Sequence, residues 1–346
     1  MLEVVILFFW LSVLLYFLLG GADFGAGIIE MFTSARSLRR TRATLYHAIG
    51  PIWEANHMWL IIAIVILFVG FPRIYSTLSI YLHIPLLLML MGIIARGTAF
   101  VFRHYDAVKD SLQEVYNRIF VWSSFLTPLF LGIIAGTTVS GKIDVEANTF
   151  MEAFIDPWLN WFPIAVGFFT VALCGFLAAV YLVGEAGNEN DRKRFMRKAR
   201  NANIIAFALG FCVFMAAEHE GVPLTRWVFS DRVGLAAVVA ATSSVVVLWA
   251  TMNRVPVLMT RALVAFQVCM ILLAITFEHY PDIVLLKTGN NLSLTSDHAP
   301  DKTIHALGWA LLSGSLLILP ALFYLYYSFH KRVSNTDHET LQQEKI

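Results

Sequence analysis

Charged residues are scarce in this 346-residue chain: they make up 14% of it, against about 25% in ordinary soluble domains. Apolar residues make up 58% of the chain, which is more than a soluble core of this length can bury. Together the two figures exclude a soluble globular protein and indicate an integral membrane protein. The net charge of +1 gives no indication of a nucleic-acid partner.

Cysteine is also rare, and Cys174, Cys212 and Cys269 each lie inside an apolar run. None of them has the spacing of a zinc or redox motif, so neither a disulfide framework nor a metal site is expected. The first ten residues contain Glu3 but no lysine or arginine, whereas a secretory signal begins with basic residues. We therefore interpret this segment as a retained first helix.

Long apolar runs are abundant and predict an all-α integral membrane protein with nine transmembrane helices, because each run is near the ~20 residues that cross a bilayer. The runs are roughly 3–32, 48–70, 75–101, 119–139, 158–184, 201–217, 233–252, 255–277 and 304–329. The outer loop 140–157 divides the first eight into a predicted four-helix bundle in 1–139 and a second in 158–277. The ninth helix, 304–329, is predicted to be peripheral and to precede a polar tail at 334–346.

The basic residues alternate between the two sides of the predicted bundle. One side carries 18 of the 25 lysines and arginines, in loops 33–47, 102–118 and 185–200, in segment 252–261 and in the tail. The other side carries 6, and Arg96 remains inside the third apolar run. Because basic loops favour the cytoplasm, the N-terminus is predicted outside and the C-terminus in the cytoplasm.

Three ionisable residues lie at membrane depth, where each costs about 2.5–3.5 kcal/mol and usually marks a site or a pathway. Asp23 lies near the cytoplasmic end of the first run, Glu54 near the start of the second and Arg96 near the end of the third. At ~1.5 Å per residue their depths agree to within about one or two helical turns. Two acids and one base are thus expected at a similar level, although depth does not show which way each side chain faces.

Each of these groups also has a purely structural interpretation. Arg96 can extend its guanidinium to the interface, Asp23 can serve only as its ion-pair partner, and Glu54 can be solvated at the interface. Trp53 and Trp59 can be interfacial anchors.

The stretch "GPIWEANHMWLI" at the start of the second run carries further polar groups. Trp53, Asn56 and His57 share one helical face, and Glu54 and His57 share the adjoining face. A carboxyl and an imidazole three residues apart can pass a proton along if that face meets protein or water. A lone membrane histidine is more often packed than ligating, so no metal or haem ligand is assigned to His57 or to His83.

This stretch resembles the signature of subunit II of the cytochrome bd-type quinol oxidases. The matching positions of the signature are Gly50, Pro51, Trp53, Glu54, Asn56 and Trp59. "GGADFGAG", which contains Asp23, is similar to the glycine and aspartate motif of that family's first helix, and "RGTAFVFRHY" is similar to the arginine motif that closes its third helix. Glu54 stands where some members have Asp, which we take as the pattern of the shorter, cyanide-insensitive-like branch.

The resemblance implies a non-haem subunit of a complex that oxidises quinol and reduces dioxygen to water. It implies that haem b and haem d are held by the partner, subunit I, in a heterodimer. In some members subunit II holds a structural quinone, and a small single-helix third subunit joins the complex. The implied location is the inner membrane of a bacterium, as a multi-pass protein in contact with lipid and without nucleic acid.

The resemblance and the residues agree on a cytoplasmic proton path. Glu54, Asp23 and His57 are its expected members, and Arg96 is expected to compensate their charge. Two alternatives remain at this point. The chain could be a proton-coupled secondary transporter, although transporters favour broken helices near the midplane. It could also be a scaffold subunit whose polar groups only join helices.

Overall fold

The computed structural model describes residues 1–50, 53–105, 112–252 and 256–343. Its helices are, in chain order, α1 (Leu2–Leu15), a π-helical turn (Tyr16–Gly20), α2 (Gly21–Met31), α3 (Ala35–Ile49), α4 (Trp53–Gly70), α5 (Pro72–Tyr81), α6 (His83–Tyr105), α7 (Leu112–Ser140), α8 (Phe150–Phe154), α9 (Trp161–Gly184), α10 (Glu189–Glu220), α11 (Leu224–Phe229), α12 (Arg232–Thr251), α13 (Val257–Thr276) and α14 (Asp301–Gln343). In this part of the chain nine helical segments are long and apolar enough to cross a membrane, which confirms the predicted fold class.

The third apolar run, predicted as one helix at 75–101, is two helices. α5 starts with Pro72 in its first turn and ends at Tyr81, and the non-helical backbone of Leu82 (φ −113°, ψ 20°) separates it from α6. The spanning helix therefore begins at His83. The prediction was wrong here because hydropathy records how apolar a run is and not where its backbone turns.

The sixth run, predicted at 201–217, is much longer. α10 begins after Asn188, whose side chain accepts a hydrogen bond from the Asp191 backbone N–H (2.8 Å), and it ends at Gly221 in the left-handed conformation (φ 71°). The ninth helix was also predicted too short, at 304–329, because α14 extends through the predicted polar tail as far as Gln343. In both places the helix continues into polar residues. Apolar residues are needed only where the helix contacts lipid, whereas the helical hydrogen bonds continue beyond that part.

The first spanning segment changes its geometry half-way along. The π-helical turn Tyr16–Gly20 lies between α1 and α2, so one span runs from Leu2 to Met31. The Tyr16 ring folds back over Gly20, where an added Cβ would lie 2.9 Å from the ring carbon Cε2. Turns of this type rotate the following helix relative to the preceding one and are frequent at functional sites. Here the turn comes just before Asp23.

Helices α2, α7 and α9 pack against one another, and α9 is the most buried of the nine spans. Small residues let these helices approach closely. A Cβ on Gly25 would lie 1.9 Å from the backbone oxygen of Cys174 in α9, and a Cβ on Gly27 would lie 2.3 Å from Ser124 Cβ in α7. The glycines of the "GGADFGAG" stretch thus set the distance between helices.

The predicted boundary between two bundles is itself closely packed, because α9 contacts both α2 and α7. The division into bundles 1–139 and 158–277 therefore stays a prediction. α14 is the least buried of the nine spans, as expected for a peripheral helix.

The end of the bundle opposite the basic loops is covered by a small ordered cap. Strand β1 (Asp282–Val284) pairs with β2 (Leu292–Ser293) in an antiparallel hairpin, and Leu286 bridges to Ile143. The predicted outer loop 140–157 contributes Asp144, which forms an ion pair with Lys287 (2.9 Å). The hydrogen bond from Lys287 holds the pKa of the Asp144 carboxyl below its usual value. The cap joins the two predicted halves on this side.

Candidate functional site

Asp23 and Arg96 form a fully buried ion pair. Nη2 of Arg96 in α6 donates to Oδ1 of Asp23 in α2 at 2.5 Å, and neither side chain is exposed. The same nitrogen lies 3.4 Å from the Asp23 backbone oxygen. The guanidinium also lies beside the rings of Phe24 and Phe120, at 5.6 and 5.4 Å from their centroids. Arg96 is thus paired with Asp23 in the interior and does not extend to the interface, and its predicted role in charge compensation stays a prediction.

His57 joins this pair from α4. Its Nε2 lies 3.4 Å from Oδ2 of Asp23 and 3.4 Å from Nη1 of Arg96. The imidazole ring also packs against Phe24 and Tyr16, at centroid distances of 5.3 and 6.0 Å. Three helices therefore bring an acid, an imidazole and a guanidinium into contact; below, "the Asp23 cluster" means Asp23, His57 and Arg96.

Several buried polar atoms at this place have no hydrogen-bond partner among the described residues. They are Tyr16 OH, Asp23 Oδ2, His57 Nδ1, Arg96 Nε and Ser124 Oγ. Nearly all buried polar groups in proteins are satisfied, by protein or by ordered water. Ordered water in an internal hydration site would satisfy such atoms, so their grouping around one ion pair indicates such a site.

Glu54 does not belong to the cluster. Its side chain is exposed on the outward face of α4, and it forms no ion pair with a described residue. Within this subunit Glu54 faces outward, and its predicted place in a proton path stays a prediction. The reason for the outward direction is the rotation of α4, because the face that packs inward carries Asn56 and Trp59, both buried, and leaves Glu54 on the other side.

The other members of the signature stretch have structural positions. Trp53 packs on Phe100 of α6 with a centroid distance of 5.4 Å, and its ring lies 3.3 Å from where a Cβ of Gly97 would be. Gly50 ends α3, and its backbone N–H donates to the oxygen of Tyr46 at 2.8 Å. Pro51 lies outside the described residues. Trp53 is therefore a packing residue between helices rather than a lipid anchor.

A second buried acid–arginine pair escaped the sequence analysis. Glu30 in α2 accepts from Nη1 of Arg103 in α6 at 2.9 Å, and its other oxygen accepts from Nε of Arg42 in α3 at 2.6 Å. Glu30 lies seven residues after Asp23, and Arg103 lies seven residues after Arg96. The Phe120 ring contacts the guanidiniums of both arginines, at 5.4 Å from that of Arg96 and 4.3 Å from that of Arg103. The shared seven-residue spacing could have predicted this second pair. It was missed because Glu30 lies at the end of the first predicted run and Arg103 lies in the predicted loop 102–118.

No group of three or more potential metal ligands occurs in the described part of the chain. His83 Nδ1 lies 2.8 Å from the oxygen of Ile80, and its ring packs on Phe154. His57 is engaged by the Asp23 cluster, so the two histidines considered for haem are both held by neighbouring protein groups.

Comparison with known proteins decides the family. The family model described as cytochrome bd terminal oxidase subunit II matches residues 1–329. The chain belongs to the cytochrome bd terminal oxidase subunit II family.

Known subunits and structures of this family resemble the chain over nearly its whole length. It is 25% identical over 330 residues to cytochrome bd ubiquinol oxidase subunit 2 of Bacillus subtilis (strain 168), covering 94% of each chain. It is 23% identical over 357 residues to cytochrome bd-I ubiquinol oxidase subunit 2 of Escherichia coli (strain K12), covering 92% of this chain and 91% of that protein. The bd oxidase structure from Geobacillus thermodenitrificans has the same fold, with a TM-score of 0.73, 19% identity, and coverage of 94% of this chain and 98% of that one.

The family membership confirms the predicted role as a subunit of a terminal quinol oxidase, and the proton path stays a prediction. This cytochrome bd subunit II is a multi-pass protein of the bacterial inner membrane and a subunit of a terminal quinol oxidase complex. The complex contains haem and a subunit I partner. The secondary-transporter alternative is thereby excluded.

Proposed function

We propose that this subunit supplies cytoplasmic protons for dioxygen reduction through the Asp23 cluster, and that Glu54 carries them across the surface of the subunit. The observation that carries the proposal is the contact of Asp23, His57 and Arg96 at membrane depth, surrounded by unsatisfied buried polar atoms. Reduction of dioxygen to water consumes protons, and a low-dielectric bundle can conduct them only through such polar groups.

The residues of the cluster have distinct roles in this proposal. The Asp23 carboxylate has one oxygen on Arg96, and its other oxygen lies 3.4 Å from His57 Nε2 without a hydrogen bond. An ordered water that bonds to both groups would pass a proton between carboxylate and imidazole. The guanidinium of Arg96, which donates to the other Asp23 oxygen, offsets the charge of the carboxylate. Ordered water at the unsatisfied atoms of Tyr16 and Ser124 completes the hydrogen-bonded chain. Tyr16 thus joins the site from the π-helical turn.

Glu54 takes its role from its exposure. A carboxylate that faced lipid at this depth would cost about 2.5–3.5 kcal/mol, and such residues instead face protein or water. We therefore assign the outward face of α4 around Glu54 to contact with subunit I. The proton would leave this subunit there, toward the haems.

We also assign haem b and haem d to subunit I. The imidazoles of His57 and His83 are held by the Asp23 cluster and by the Ile80 oxygen. A structural quinone in this subunit, a small third subunit, the outside N-terminus and the cytoplasmic C-terminus remain proposals that the family resemblance supports. The purified subunit without subunit I is expected to show no haem Soret band. A Soret absorbance that rises one-to-one with this chain alone would contradict the assignment.

The Glu54→Gln substitution tests the proposal. It keeps the shape of the side chain and removes its proton, so oxygen uptake with a soluble quinol is expected to fall about tenfold or more per haem, since a positioned proton-transfer group contributes about 10²–10⁴-fold. Haem content and assembly should stay normal because glutamine keeps the size of the side chain and its ability to form hydrogen bonds at this contact.

Glu218→Gln is the matched control, because Glu218 is also exposed but lies near the far end of α10. It should turn over normally. Normal turnover of Glu54→Gln per haem would remove Glu54 from the path, and loss of haem or of subunit I would instead assign Glu54 to the interface alone.

A further inference from the structure

A cavity of about 260 Å³ opens at the basic end of the bundle, between the end of α2, the helix α3 and the start of α7. It lies next to the Glu30 pair and away from the Asp23 cluster. The loop containing α3 was predicted only as a basic loop. Its helix is amphipathic, with Thr41 and Leu45 buried and Arg36 and Arg39 exposed.

The cavity is surrounded by an excess of positive charge. Glu30 at its base is buried, and each of its oxygens already accepts from an arginine. Lys198 approaches from α10 and donates to Thr33 Oγ1 at 2.6 Å. Arg42 and Arg118 line the cavity together with Glu30 and Glu114, and Arg103 and Lys198 lie behind it, in contact with Glu30 and Thr33. The cations in and next to the cavity thus outnumber the carboxylates by four to two. The cavity therefore favours an anion.

Arg42 provides unused donors at this place. Its Nε is fixed on Glu30, and its terminal nitrogens donate to no described residue. The side chain is one-third exposed and lines the cavity. A guanidinium held at one edge presents its remaining N–H groups in a fixed plane, the geometry that binds phosphate oxygens.

The wall formed by α7 changes from polar to apolar along its length. Glu114, Asn117 and Arg118 lie at the end nearest the loop, and Val121 and Trp122 lie deeper. These residues share one face over two turns, or about 12 Å. Trp122 is more than half exposed, which is typical of an indole at the membrane interface. The wall has the same polarity gradient as a phospholipid.

We propose that this cavity binds an anionic membrane phospholipid, with its phosphodiester at Arg42 and Arg118 and its acyl chains along Trp122. Charge complementarity selects the headgroup, and the deeper apolar wall selects a lipid over free phosphate. The site is independent of the proposed proton path.

Titration of the purified, delipidated complex with phosphatidylglycerol, followed by native mass spectrometry, tests the proposal. Phosphatidylglycerol should bind in preference to phosphatidylcholine. Arg118→Gln should weaken its binding about fivefold, the effect of about one basic contact. Arg42→Lys, which keeps the charge near Glu30 but loses the fork, should weaken it comparably. Arg118 is exposed, so its substitution leaves the fold intact.

Arg39→Gln is the matched control, because it removes the same charge from the same surface without touching the cavity. A phosphatidylglycerol brominated in its acyl chains should quench the fluorescence of the wild-type complex more than that of Trp122→Phe. Equal weakening by Arg39→Gln and Arg118→Gln would overturn the proposal in favour of general surface attraction. Full displacement by millimolar inorganic phosphate, or equal quenching in Trp122→Phe, would overturn the lipid as occupant.

Discussion

Replacing Asp23 by Asn and Arg96 by Gln in the same chain is expected to give a complex that assembles but reduces oxygen slowly. Each single substitution leaves one buried charge without its partner, which costs about 3–5 kcal/mol, so each should lower the yield of assembled complex. The double substitution removes both charges and keeps polar side chains that can bond to each other. The double variant therefore leaves no uncompensated buried charge, which is the source of the cost of each single substitution.

Turnover separates the two roles of the pair. If Asp23 carries protons, the double variant should recover haem content and association with subunit I but not oxygen uptake per haem. If the pair only joins α2 to α6, assembly and turnover should recover together, and the scaffold interpretation is then correct. Size-exclusion chromatography, haem absorbance and oxygen uptake on the same preparation give the three readouts.

The Glu185–Arg261 pair provides the control for this experiment. It is also an acid–arginine pair at the basic end of the bundle, with Nη2 and Oε1 2.6 Å apart, but it joins the end of α9 to α13 and does not touch the Asp23 cluster. Glu185→Gln with Arg261→Gln should leave turnover per haem unchanged. A loss in this variant as large as in the Asp23 double variant would show that any change of charge at this end slows the enzyme.

Depth in the membrane could be predicted from the sequence, because the rise per residue of a helix is nearly constant. That is why Asp23 and Arg96 could be expected at a similar level, where the structure brings them into contact. The two residues lie on helices that cross the bilayer in the same direction, so their distances from the helix ends could be compared directly.

The direction in which a side chain faces could not be predicted in the same way. A rotation of α4 decides whether Glu54 or His57 points inward, and packing sets that rotation: Asn56 and Trp59 fill the interior and leave Glu54 outside. The π-helical turn adds a further rotation within the first span, and the residues "YFLLG" contain no pattern that predicts such a turn.

Glu30 and Arg103 show a different limit. Counting basic residues by loop predicted the orientation, but it also treated Arg103 as an ordinary loop charge. In the structure it is buried, between Glu30 and the Phe120 ring. A helix that continues past the lipid boundary can bury charges there, since neighbouring helices cover them.

Gly25→Ala is expected to destabilise the subunit strongly. The added Cβ would lie 1.9 Å from the backbone oxygen of Cys174 and 2.7 Å from the Cβ of Ala178, so no side-chain rotation can relieve the clash and α2 must move away from α9. Inserting one carbon into a packed core costs about 1–3 kcal/mol when side chains can adjust, and the cost here should lie at or above that range. The movement would also shift Asp23, two residues earlier in α2.

Gly175→Ala is the matched control, because Gly175 lies on α9 within the same helix contact. The nearest atom to its added Cβ would be Cγ2 of Ile28 at 3.4 Å, an ordinary van der Waals distance. It should therefore assemble normally, and its midpoint of thermal unfolding, followed by haem absorbance, should match that of the unsubstituted complex, whereas that of Gly25→Ala should fall by several degrees. Equal stability of the two variants would mean that α2 and α9 pack less closely than the structure shows. The glycines of "GGADFGAG" would then have a role other than close packing.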